Sequence, residues 1–202
     1  MPWDKENDII SVNFPQEKAD PSKRGILSKV ARIYDPLGLA SPISLGGKLL
    51  FCDRCDAKLN CDTNLPSMVI QNWFRWEERP PKQLTFPRSL AAYQEDIQSI
   101  ELHAFGDASS KGVDAAVYAG VIQESGINQG LVAVRARLFK RGLMIPRLDL
   151  VSAHMVAYLL ANVASALDGF PQIERYCWLD STAALLWKAK WCKIQETKLA
   201  SC

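Results

Sequence analysis

Ile100-Glu101-Leu102-His103-Ala104-Phe105-Gly106-Asp107-Ala108-Ser109-Ser110 is the stretch on which the fold turns. Ile100, Leu102 and Ala104 alternate with Glu101, His103 and Phe105, the period-two pattern of a strand with one buried face. The alternation breaks at Gly106, and Asp107 stands just past it, before small hydroxyl residues. A carboxylate at the end of a core strand is held firmly while its head group faces a cleft, which suits a metal ligand. Asp is also an ordinary turn former. Whether other carboxylates converge on Asp107 decides between the two.

Toward the C-terminus, 113–121 reads as a second strand, rich in Val and Ala, between Gly112 and Gly120. Ser125-Gly126-Ile127-Asn128-Gln129-Gly130 is turn chemistry and 131–136 a third strand, so the three form an antiparallel meander. Pro146 opens a long helix reaching about Leu167, proline being suited to a first helical turn. Leu148, Ser152, Met155, Leu159, Asn162 and Val163 approximate its inner stripe. Gly169-Phe170-Pro171 ends it, 173–179 is a fourth strand, and Ser181-Thr182 begins a last helix to about Trp191. This order places a β-α-β crossover beside an antiparallel edge, an α/β fold with a mixed sheet.

Two further carboxylates fall at telling places. Asp149 is expected in the first turn of the long helix, and Asp180 at the end of the fourth strand. If the first and fourth strands are parallel neighbours, Asp107 and Asp180 emerge at one edge, and the helix can bring Asp149 over it. Three acids so placed repel one another unless cations sit among them, and hard oxygen ligands select Mg²⁺ or Mn²⁺. Two such ions about 4 Å apart activate water and stabilise a leaving oxygen in phosphodiester cleavage. Each acid has an ordinary reading too. Asp149 is favoured by a helix dipole, and Asp180 is a capping residue for the last helix.

Upstream the texture is helical. Residues 1–21 carry a short apolar alternation, Ile9, Ile10, Val12 and Phe14, a strand or hairpin too short to stand alone. Ile26, Leu27, Val30, Ile33 and Tyr34 share one face at helical spacing, and Asp35-Pro36-Leu37-Gly38 stops that helix. Further helices are expected over 45–59 and 69–78, with Pro80-Pro81 ending the helical half and 84–96 a connector. Across 202 residues the net charge is +2, too small for an overall basic field to announce a nucleic-acid partner. Basic residues do crowd locally, at Arg135, Arg137, Lys140, Arg141 and Arg147, and again at Lys188, Lys190 and Lys193. No uninterrupted apolar run reaches the ~18 residues of a membrane span, and the polar, acidic start does not resemble a signal peptide. An intracellular protein, cytoplasmic or nuclear, is expected, with its six cysteines reduced. Cys52-x-x-Cys55 followed by Cys61 hints at zinc but lacks a nearby fourth ligand.

His103-Ala104-Phe105-Gly106-Asp107-Ala108-Ser109, Ile145-Pro146-Arg147-Leu148-Asp149-Leu150 and Trp178-Leu179-Asp180-Ser181-Thr182 resemble the ribonuclease H-like region of BEL/Pao-type retrotransposon polyproteins. Lys23-Arg24-Gly25-Ile26-Leu27-Ser28 and Ile33-Tyr34-Asp35-Pro36-Leu37-Gly38-Leu39-Ala40-Ser41-Pro42 are similar to the segment following the reverse transcriptase palm in the same family. Trp3-Asp4 and the surroundings of Phe14 are similar to its last palm strands. The resemblance implies a ribonuclease H-like mixed sheet, with a meander plus a parallel strand, preceded by a mostly helical connection segment. It implies three parts: a palm remnant over 1–22, a thumb- or connection-like segment over 23–96, and the ribonuclease H-like domain over 97–202. It further implies cleavage of the RNA strand of an RNA–DNA hybrid, with Asp107, Asp149 and Asp180 as first, second and third ligands of Mg²⁺. Arg135 and Arg137 stand where the family carries a basic pair that would contact substrate phosphate. The remainder of a Pol polyprotein is the implied protein partner, and no membrane is involved.

Two departures bear on activity. The family's second ligand is usually Glu, and Asp149 is one methylene shorter, a loss of reach of roughly 1.5 Å in a site that needs sub-ångström placement. The fold also normally adds a fifth strand and a closing helix with a fourth acid, and the chain is expected to stop short of both, as a fragment. Two other functions compete. This region of the family has been labelled an aspartic peptidase, with Asp107-Ala108-Ser109 as the catalytic turn. That turn lacks its glycine, and a paired-carboxylate site needs a second equivalent turn. The other reading is a non-catalytic connector that holds nucleic acid for a polymerase.

Overall fold

A computed structural model describes residues 1–56, 61–63, 65–139, 142–170, 172–181 and 197–201, without the side chains of 53–56 and 197–201. The chain forms two compact units, Met1–Arg88 and Ser89–Cys202.

In the first unit, β1 (Trp3–Asp4), β2 (Ile9–Asn13) and β3 (Gln83–Pro87) make a small antiparallel sheet in that order. The connector expected over 84–96 therefore begins as a strand. Leu84 and Phe86 alternate inward and pack with Val12, Phe14 and Ala40. Five residues with only two apolar positions give a weak local signal, and it is the edge of β2 that makes them a strand.

Three helices, α1 (Lys23–Ala31), α2 (Ser41–Asp56) and α3 (Ser67–Glu77), complete the unit. Ser22 caps α1, its hydroxyl accepting the Gly25 N–H at 3.1 Å. The helix ends at Ala31 rather than at Tyr34, and Asp35 closes the loop that follows. Its carboxylate accepts the N–H groups of Leu39 at 3.0 Å and Ala40 at 2.8 Å. Ile26, Leu65, Val69, Trp73 and Trp76 form the core. Inside it the Lys29 ammonium pairs with Glu77 at 2.5 Å and donates to the Glu17 carbonyl at 2.8 Å. The same Glu77 oxygen accepts the Ala19 N–H at 2.9 Å, so one buried pair ties the incoming chain to α1 and α3. Trp76 donates its indole N–H to the Ile43 carbonyl at 2.8 Å, whereas that of Trp73 has no partner among the described residues.

The second unit is built on a sheet of order β6-β5-β4-β7-β8. Its strands are β4 (Ser99–Ala108), β5 (Gly112–Gln123), β6 (Gly126–Leu138), β7 (Ile173–Leu179) and β8 (Thr197–Ser201). β4, β5 and β6 form the antiparallel meander; β7 is parallel to β4, and β8 parallel to β7. The fifth strand corrects the expectation that the chain stops short of one. The β5–β6 turn is also tighter than expected, since Gly126 to Gly130 pair with β5 and only Glu124 and Ser125 turn. The last helix expected after Ser181 lies outside the described residues.

α4 (Ile145–Ala166) packs across the sheet. By length and composition alone it could cross a membrane, yet Leu148, Ser152, Val156, Leu159, Leu160, Val163 and Ala164 are buried within the fold. They meet Ile100, Leu102, Ala104, Ala115, Val117, Ala119, Cys177 and Leu179 from the strands. The expected stripe holds except at Asn162, which is exposed, and Met155, which is only half-buried; Val156 and Leu160 take the inner positions. Small residues on β4 and β5 let this helix approach closely. A methyl group at Gly106 would run into Val156 and stand 2.8 Å from the Ser152 hydroxyl.

Candidate functional site

The register of the second sheet brings carboxylates together at one end. Asp107 lies directly opposite Asp114 on β5, and antiparallel partners share a face. On the other side Leu179 pairs with Gly106, so Asp180, the next residue, is level with Asp107. Asp114, Asp107 and Asp180 thus form a row across three neighbouring strands, with the ~4.8 Å spacing of adjacent strands.

Burial fixes the faces. Ile100, Leu102 and Ala104 point toward α4, and so does Gly106, leaving Asp107 and its partner Asp114 on the open face. α4 bears on the same end from the other side, because the Ser152 hydroxyl donates to the Asp114 carbonyl at 3.1 Å. Asp149 stands three residues before Ser152 and is half-buried. It belongs to the helix on the other face of the sheet from the row. Asp149 is not in the first turn, as expected from sequence, but is the fifth residue of α4, whose first turn holds no acid. The dipole account of an acid there weakens accordingly, since that effect fades beyond the first turn.

Asp107 does not make the turn that follows it. Ser109 does: its hydroxyl accepts the N–H groups of Lys111 and Gly112, each at 3.3 Å, and its N–H donates to the Gly112 carbonyl at 2.8 Å. The Asp107 carboxylate accepts the adjacent Ala108 N–H at 2.7 Å. Among the described residues, none of Asp107, Asp114, Asp149 and Asp180 is in an ion pair. The consequence shows at Asp114. Burial raises its carboxyl above the usual range, the negative charge of Asp107 adds to the rise, and a backbone hydrogen bond at Asp107 offsets part of it.

Asp114 is the functional candidate that sequence reasoning missed. A charge inside a Val- and Ala-rich strand was a visible signal, and the tight turn at Ser109 to Gly112 makes its pairing with Asp107 unavoidable. Arg135 and Arg137 are exposed on the edge strand β6, opposite Ala115 and Val113 and hence on the face of α4. Lys140 and Arg141, from the same basic cluster, lie outside the described residues. Cys52 and Cys61 are exposed, and the Cys55 side chain is outside the described set.

Among the described residues no three His, Cys, Asp or Glu side chains stand close enough to hold an ion as they are. The donor set nonetheless fits Mg²⁺ or Mn²⁺ by its chemistry. It offers hard oxygens with uncompensated charge, and Mg²⁺ is commonly held by one or two carboxylates plus waters and substrate phosphates.

The family described as the Pao retrotransposon-like RNaseH-like domain matches residues 22–181. The chain is also similar to ribonuclease H1 of the halophilic archaeon Halobacterium salinarum NRC-1, at 14% identity over 52% of this chain and 85% of that one, TM-score 0.27. LC11-RNase H1, solved in complex with an RNA/DNA hybrid, is similar at 10% identity over 51% and 84%, TM-score 0.30. A foamy viral protease-reverse transcriptase, solved with double-stranded DNA, is similar at 14% identity over 88% of this chain, TM-score 0.41. The match covers 34% of that viral protein's length. No curated protein matches the chain.

Proposed function

The chain belongs to the Pao retrotransposon-like family of ribonuclease H-like domains, and from that premise we propose that it is a metal-dependent nuclease domain of a retrotransposon Pol polyprotein, acting on the RNA strand of RNA–DNA hybrids. The observation that carries this reading is the row Asp114, Asp107, Asp180 at one sheet end, beside the start of α4 and unpaired with any cation among the described residues.

Asp107, in the middle of the row, is the central ligand, with Asp180 beside it and Asp149 coming from α4 around the strand end. A bound Mg²⁺ or Mn²⁺ would supply Lewis-acid activation of water and stabilise the leaving oxygen. The chain's own residues do the positioning. Pairing with β5 holds the Asp107 backbone on one side, and on the other β7 pairs as far as the preceding Gly106. Ser152, by gripping the Asp114 carbonyl, fixes the helix that carries Asp149. Arg135 and Arg137 lie two strands from Asp107 on the edge strand β6, on the opposite face of the sheet, so the phosphates assigned to them belong to a part of the duplex that passes around that edge. They position it and contribute no sequence preference.

The aspartic peptidase reading gains nothing from the Asp107–Asp114 pair. Such a dyad needs two equivalent turns, and Asp114 sits inside β5. The experiment is cleavage of an end-labelled RNA–DNA hybrid with and without Mg²⁺. Expected are metal-dependent cutting of the RNA strand, a loss of at least about 100-fold in Asp107→Asn, and a smaller loss in Asp149→Asn. Binding that survives Asp107→Asn, with no cutting by the unaltered chain, would instead establish the non-catalytic connector. Arg135→Ala/Arg137→Ala should lower the slope of log affinity against log salt by about two.

A further inference from the structure

On the face of the second sheet turned away from α4, His103 is held by two partners of opposite demand. The indole N–H of Trp178 donates to its Nδ1 at 3.2 Å, and its Nε2 lies 3.2 Å from the Glu101 carboxylate. An indole N–H can only donate, and a carboxylate can only accept. The arrangement therefore requires the neutral ring with its proton on Nε2, the one tautomer that serves both partners. Stacking fixes the plane of the imidazole. It lies 4.7 Å from the Tyr176 ring with planes at 7°, and 6.1 Å from the Trp178 ring. Trp178 in turn stacks on Phe105 at 6.1 Å. The His103 side chain is 29% exposed, so a proton from solvent can reach it while the surrounding rings hold its orientation.

Taking up a proton at Nδ1 changes the two contacts in opposite directions. The imidazolium donates from both nitrogens. Two N–H groups would then face each other between His103 and Trp178, and that bond cannot persist. The contact with Glu101 becomes a charge-assisted hydrogen bond and strengthens. Histidine is the side chain whose charge changes between pH 5 and 8. We propose that His103 is a proton-operated latch on Trp178: the neutral ring holds the indole, and the imidazolium releases it and keeps Glu101. Phe105 and Trp178 each stand two residues before a carboxylate of the row, Asp107 and Asp180, so the latch acts on the two strands that present them. The proposal goes beyond the nuclease reading and does not rest on it.

Other titratable groups share this face by register. Tyr118 on β5 and Tyr176 on β7 stand opposite His103, Glu174 stands opposite Glu101, and Lys198 on β8 stands opposite Tyr176. Asp107 and Asp114 lie four residues further along β4 and β5. α4 packs on the other face, and the second histidine, His154, is exposed on it. A change at His103 alone leaves all of these in place, which lets the test assign the proton.

The test uses the full chain labelled for NMR at the indole nitrogens of its tryptophans, with Trp178→Phe identifying the Trp178 signal. As the pH falls from 8 to 5, that signal should move upfield. Its N–H should exchange with solvent roughly tenfold faster at the acid end than in His103→Asn at the same pH, about what one hydrogen bond is worth. In His103→Asn the side-chain carbonyl stands where Nδ1 stood and accepts from the indole without titrating, so the signal should stay in place across the range. In His103→Leu no acceptor remains, and the signal should already sit at its acid position under neutral conditions. Melting curves establish that each variant folds. The latch is overturned if the Trp178 signal of the unaltered chain does not move, if it moves as far in His103→Asn, or if His103→Leu leaves it where the unaltered chain has it at neutral pH.

Discussion

The two units hold together by different means. In the first, Lys29, Glu77, Asp35 and the Trp76 indole each make a polar contact that fixes where a segment lies. In the second, the sheet and α4 meet through small and branched apolar side chains, and the polar fastening there is the Ser152 hydroxyl on the Asp114 carbonyl. In the first unit these directional bonds add to the apolar contacts of Ile26, Val69, Trp73 and Trp76. A long helix on a regular sheet is placed by the alternation itself, which leaves polar residues at the sheet end available for function.

The sharpest way to break this comparison is Lys29→Met. It strands the Glu77 carboxylate in the core, and loss of one partner of a buried pair costs about 3–5 kcal/mol. Denaturant unfolding should show that loss, and Lys29→Met with Glu77→Leu should recover much of it. If the single variant lost less than about 1 kcal/mol, the first unit would not depend on its ion pair in the way described.

Next in size is Gly106→Ala, which tests how tightly the second unit is packed. The added methyl must displace Val156 or Ser152, at about 1–3 kcal/mol. Cleavage should fall with it, because α4 carries Asp149. Lower stability with unchanged cleavage would show that the site does not depend on the seating of this helix.

The smallest effect is expected from Asp114→Asn, and it is a gain. A carboxyl raised in the folded state binds its proton more tightly there than in the unfolded chain. Stability is therefore lost as pH rises from the ordinary carboxylate value through the raised one. The Asn variant should melt higher than the parent at pH 7 and alike well below pH 4. Added Mg²⁺ should raise the parent's melting temperature more than the variant's. A variant that melts lower at neutral pH would mean that Asp114 has a structural partner after all.

Much of the second unit was legible because its signals are periodic. Ile100, Leu102 and Ala104 fixed the buried face of β4, and the Val and Ala run did the same for β5. Asp107 and Asp180 could be placed at one sheet edge because each ends such a strand. Asp114 was hidden by the same logic: it occupies an ordinary outward position, and only the residue across the ladder makes it a candidate. β3 was hidden because two apolar residues among five do not signal a strand until β2 supplies its edge. The motif around Tyr34 to Pro42 was readable, but not that Asp35 closes its loop by holding the N–H groups of Leu39 and Ala40.

The sequence by itself determined β4 to β7 and α4 in the second unit, most of the faces they bury, and the family to which the chain belongs; β8 was not read from it. These follow from local spacing and from motifs that need no partner to be recognised. Only the tertiary structure decided that β4 and β7 are parallel neighbours, that Asp107 faces Asp114, and that Asp149 approaches from the opposite face. Those relations depend on register and handedness, which bring together residues far apart in the chain; a change of one residue in register would send every one of these side chains to the other face.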